Sequence, residues 1–102
     1  MTDISQQRKA LIVRILDGAG TASQGQRRAA FENIGLVEPV KTLIQKVATQ
    51  ATAVTDRDIA AARASGLTED QIFEIVICAA VGQSARQYDS ARAALESAIG
   101  KE

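Results

Sequence analysis

The sequence predicts an all-α bundle of about five to six helices built around a capped helical hairpin. Three observations carry this. Apolar residues recur at three-four spacing along most of the chain, the signature of a helix with one buried stripe. No segment shows the period-two alternation or the hairpin turns of a strand. Two helix-start motifs flank a glycine turn, Val54-Thr55-Asp56-Arg57-Asp58-Ile59 and then Gly66-Leu67-Thr68-Glu69-Asp70-Gln71-Ile72.

The elements follow in order. Thr2 is placed to cap a first helix carrying Ile4, Leu11, Ile12, Ile15 and Leu16, which Gly18 and Gly20 end. Ala19 to Gly25 reads as a flexible connection, so residues 1–20 form a helix able to dock on a neighbouring subunit. A short helix from about Gln26 to Asn33 leaves through Gly35. Pro39 suits the start of a third helix of about fifteen residues, with Val40, Leu43, Ile44, Val47, Ala51 and Val54 on one stripe.

Thr55 and Asp58 form a capping box for the fourth helix. Gly66 fits the left-handed position beyond its end, with Leu67 as the apolar residue just after. Thr68 and Gln71 form the next box, and Glu69 and Asp70 put acidic groups in the first turn, where they suit the macrodipole. Helical spacing then runs from Glu69 to about Ile99. Ile72, Phe73, Ile75, Val76, Ala79 and Ala80 cover so much circumference that this half reads as buried, whereas Tyr88, Ala91, Leu95 and Ile99 make the later half amphipathic. Gly82 marks a weak point in what reads as one long helix.

A chain of 102 residues is read as a single domain, 1–102. It is 46% hydrophobic but 3% aromatic, so its core must come from Leu, Ile, Val and Ala. A core built this way is thin, which favours further burial against a second copy or a related subunit.

Equal numbers of acidic and basic residues, 12 of each, leave no field of positive charge to displace counterions from nucleic acid, and the pair Arg27-Arg28 does not make one. No apolar run approaches a membrane span, and the polar start, Met1 to Lys9, has no signal-peptide core. One cysteine, Cys78, excludes an intrachain disulfide. The expectation is a cytoplasmic, bacterial-type protein without cofactor or metal.

The hairpin also resembles a family. Arg63-Ala64-Ser65-Gly66-Leu67-Thr68-Glu69-Asp70-Gln71-Ile72 looks like the helix exit, glycine turn and second-helix start of the AhpD-like superfamily, which holds alkylhydroperoxidase D proteins and carboxymuconolactone decarboxylases. The likeness is strongest from Val47 to Gln83 and extends over about residues 36–100. It implies an all-helical fold assembling into dimers, trimers or hexamers.

In the redox members it further implies a Cys-x-x-Cys with a following His before the glycine turn, and a glutamate relay on the preceding helix. Those positions fall here near Thr52 and Thr55, Ile59, and Val40, with Glu38 the nearest carboxylate. A hydroxyl without an adjacent strong base does not become the nucleophile a tuned thiol is, and two hydroxyls form no disulfide. With one cysteine and no histidine, no shift of register restores that chemistry. Nothing marks a decarboxylase site either.

Three further readings attach to particular residues. Cys78 follows Glu74 by one helical turn, which would make a reactive thiol with a proton acceptor. Against this, a small Cys among Ile75, Val76, Ile77 and Ala79 reads as an inert core residue, and Glu74 as an ion-pair partner of Arg63, Arg86 or Arg92. Arg86, Tyr88, Asp89 and Arg92 form a polar set on the last helix, with Asp89 and Arg92 spaced for an ion pair. Thr52, Thr55, Asp56 and Asp58 offer oxygens to a metal, although capping already accounts for Thr55 and Asp58.

The expected function is a non-catalytic, oligomeric structural or interaction subunit, associating through the apolar faces of the third and last helices. The alternative is an enzyme or small-molecule binder of the same family type, using Cys78 with Glu74.

Overall fold

The computed structural model describes residues 2–100, with side chains from Gln6 onward. Among them it is all-helical: α1 (Thr2–Asp17), α2 (Gln24–Glu32), α3 (Val40–Thr49), a 3-10 turn (Ala51–Ala53), α4 (Asp56–Ala64) and α5 (Glu69–Ile99). The Thr2 cap lies outside the described side chains.

Both boxes of the hairpin form as the spacing predicts. Thr55 accepts from the Asp58 backbone N–H while Asp58 accepts from that of Thr55. Thr68 and Gln71 make the same exchange at the start of α5. Gly66 sits at φ 112°, a backbone conformation that a side chain disfavours, so the chain reverses there between α4 and α5.

Three boundaries differ from expectation. The second helix starts at Gln24 because Ser23 and Gln26 form a third capping box within the stretch read as flexible. It ends through Asn33 in the left-handed conformation (φ 57°), before Gly35. The third helix stops at Thr49. Gln50 turns out of the helical region (φ −150°, ψ 64°), and Ala51 lies in the 3-10 turn that follows, with Val54 beyond it.

The core consists of Leu16, Ala22, Ala30, Leu43, Ile44, Ala62, Ile72, Ile75, Cys78 and Ala79, drawn from every helix. Its centre is the crossing of α2 and α5. Gly82 does not split α5, which runs unbroken for 31 residues. A Cβ at Gly82 would fall on the Phe31 carbonyl, so the missing side chain is what lets α2 approach this closely. Arg86, one turn on, donates to that same carbonyl at 2.6 Å and caps the end of α2.

The apolar stripe of α3 is covered within the chain: Leu43, Ile44 and Ala48 are buried. It is therefore not an open association face, contrary to expectation. The first half of α5 is buried on one side only, with Phe73 65% exposed. From Gln87 to Gly100 every residue of α5 and its end is exposed. At 1.5 Å per residue α5 is about 46 Å long, so this half projects beyond the body and gives the chain its 55 Å long axis.

Candidate functional site

Cys78 and Glu74 stand one turn apart on α5 but serve different neighbours. Cys78 is 1% exposed, and its thiol donates to the Ile15 carbonyl at 3.5 Å. Burial raises its pKa, with Arg27 acting the other way and Glu74 with it. A thiol held protonated and out of solvent is a poor nucleophile.

Glu74 turns instead to the α1–α2 connection. Its carboxylate accepts from the Thr21 N–H at 2.9 and 3.0 Å, from the Ala22 N–H at 2.7 Å, and from the Thr21 hydroxyl at 2.9 Å. The N–H bonds from Thr21 and then Ala22 hold its pKa below the ordinary value; partial desolvation opposes this, and the Thr21 hydroxyl and Arg27 reinforce it. An ionised, saturated carboxylate has little basicity left for catalysis.

None of the three arginines expected to meet Glu74 does so. Arg63 pairs with Glu69 at 2.9 Å, Arg92 with Glu96 at 3.2 Å, and Arg86 with the Phe31 carbonyl and Gln83. The physical reason is the α1–α2 connection, which folds across Glu74 and offers two backbone donors.

Sequence reasoning missed Arg27. It is 6% exposed, and its guanidinium donates through Nη1 to the Gly18 carbonyl at 2.7 Å and the Ile15 carbonyl at 3.3 Å. It thus satisfies the free carbonyls at the end of α1. Its neighbour Arg28 makes an exposed pair with Asp17 at 2.7 Å. The one signal was position: a cation placed shortly after a helix end suits the negative pole of that helix.

The polar set of α5 does not gather into a site. Asp89 pairs with Arg8 of α1 at 3.2 Å rather than with Arg92, and the Arg8 guanidinium lies 4.8 Å from the Tyr88 ring centre. Of the oxygen-bearing residues near the hairpin, Thr55 and Asp58 are engaged with each other, and Thr52 and Asp56 are exposed. Asp58 binds Lys46 at 2.9 Å, and that contact and the Thr55 N–H hold its pKa low. Among the described residues no group of three or more acidic or cysteine side chains is positioned to hold a metal.

The positions matching the family's redox residues are likewise scattered. Thr52 is exposed in the 3-10 turn, Thr55 is a helix cap, and Ile59 packs against the core. Glu38 accepts from the Thr42 hydroxyl at 2.6 Å and the Thr42 N–H at 3.2 Å, closing the start of α3.

A small hollow of about 200 Å³ borders Glu74 and Arg27, and two larger concave features have mainly apolar walls. A cleft of about 500 Å³ lies between α2, the 35–40 segment and the hairpin turn, walled by Leu36, Val40, Leu67 and Ile75 with Gln26 and Glu38 at its polar edge. A groove of about 350 Å³ lies between α1 and the middle of α5 and is almost wholly apolar. Among the described residues no helix is long and apolar enough to cross a membrane.

No family model matches this chain, and neither a curated protein nor a solved structure matches it.

Proposed function

We propose that this chain is a non-catalytic, AhpD-like helical subunit whose work is association, with itself or with a related subunit. One observation carries the reading: the outer half of α5 is helical and amphipathic yet exposed throughout, Leu95 to 58% and Ile99 to 60%. A helix is rarely stable in water without a buried apolar face, and this half buries none against the described residues. Burial of Cys78 and the saturation of Glu74 support the non-catalytic side. The glycine-turn hairpin supports the family reading.

Light scattering on the purified chain tests this directly. The expected result is a species larger than the 10.8 kDa chain that Leu95→Glu reduces in size while helicity in the body is kept. A monomer at every concentration contradicts the proposal.

A second reading, a small-molecule binder, rests on the cleft walled by Leu36, Val40 and Leu67. Its volume falls within the range of small-ligand pockets. Saturable binding of an apolar fluorophore that Leu36→Glu abolishes would favour it; binding unaffected by that change would exclude the cleft.

A further inference from the structure

We infer that α5 pairs antiparallel with α5 of a second copy of this chain, placing Leu95 of each copy in the α1–α5 groove of the other. This rests on the association reading and gives it a partner and a geometry. Val81, Ser84, Tyr88, Ala91, Leu95 and Ala98 alternate steps of three and four, the seam of a coiled coil. Within that seam large and small residues are arranged unevenly. A parallel pairing sets each residue on its own copy, so Tyr88 would meet Tyr88 and Ala91 would meet Ala91, crowding one layer and emptying the next.

Reversing one helix about a point between Asp89 and Ser90 removes the mismatch. Val81 then faces Ala98 of the second copy, Ser84 faces Leu95, and Tyr88 faces Ala91, each layer pairing a larger residue with a smaller one. The two-fold axis repeats each contact, as a closed dimer interface requires. The seam runs about 25 Å at 1.5 Å per residue.

The groove supplies independent support. Its α5 wall is Val81, Ser84, Ala85 and Tyr88, and its α1 wall includes Leu11 and Ile12. Ser84 and Ala85 are the small residues of that wall, and Ser84 is the one the second copy's Leu95 faces. Leu11 is itself 48% exposed beside it. Each protruding helix end therefore meets an apolar recess at the height its own seam dictates. At one end of the recess Arg8 pairs with Asp89 and lies over the Tyr88 ring.

Disulfide trapping tests the arrangement. Ser84→Cys with Leu95→Cys in one chain is expected to give a covalent dimer on mild oxidation, while either change alone gives little, because neither position faces its own copy. Cys78 is buried and does not compete. Efficient trapping by Leu95→Cys alone indicates a parallel pairing and overturns this geometry. An oligomer by light scattering that the double variant fails to trap also overturns it, leaving the association reading intact. A chain that is monomeric by light scattering overturns both and assigns the groove to a different occupant.

Discussion

The Glu74 carboxylate receives the Thr21 backbone N–H across a separation of 53 positions, tying α5 to the α1–α2 connection. The contact gives the connection a fixed path where its composition alone would leave it loose. Glu74→Ala is expected to cost about 1–2 kcal/mol at neutral pH, the range for hydrogen bonds to a charged group at a partly exposed site. Urea unfolding of the two proteins measures it.

The same contact sets a pH dependence. The folded-state pKa of Glu74 lies below its ordinary 4.5, so the native state favours the ionised form. Its contribution is fully present above about pH 5 and is lost as pH falls through the folded-state value. The stability gap between the parent and Glu74→Gln is therefore expected to shrink on acidification from pH 6 to pH 3. A gap constant over that range would show that the carboxylate is not held ionised by the connection.

Gly82 and Gly20 separate two kinds of close approach. A Cβ at Gly82 meets the Phe31 backbone, whereas one at Gly20 meets the end of the Glu74 side chain at 2.8 Å. Backbone cannot yield without moving α2, so Gly82→Ala is expected to cost about 3 kcal/mol, at the upper end of overpacking effects. Gly20→Ala displaces a side chain and is expected to cost less. Thermal melts of both variants rank them.

Cys78 gives a kinetic prediction. With the thiol inside the core, labelling by an aromatic disulfide reagent is expected to follow the opening of the protein and to accelerate with urea. Rapid, urea-independent labelling at neutral pH would instead identify a reactive thiol and revive peroxide chemistry at this residue.

What could be read in advance was local. Thr55 with Asp58 and Thr68 with Gln71 are three residues apart, so spacing alone specifies their reciprocal bonds, and Gly66 marks the turn between them. Thr55→Ala and Thr68→Ala are each expected to cost about 1 kcal/mol, nearly additively, by denaturant titration. The box of Ser23 and Gln26 obeys the same rule but was masked by its glycine-rich surroundings. The end of α3 was illegible because Ala51 and Val54 continue the apolar spacing past the break at Gln50.

What escaped was tertiary. Glu74 met the connection rather than an arginine, and Arg27 entered the core to cap α1, because each partner lies on a different element. Phe73 and Ala80 looked buried since a circumference of apolar residues suggests neighbours on all sides, whereas α5 is packed on one. The positions that the resemblance singled out for chemistry hold an exposed turn residue, Thr52, a helix cap, Thr55, and a residue packed on the core, Ile59.

Amide hydrogen exchange along α5, followed against protein concentration, tests the central claim of association most directly. Residues 87–99 are all exposed, with Arg8 set against Tyr88 and Asp89, so protection there that rises with concentration must come from a partner. The expected result is protection in 87–99 that rises with concentration toward that of 72–79 and collapses in Leu95→Glu. Fast exchange in 87–99 that is unchanged across concentration and unchanged by Leu95→Glu would contradict the account.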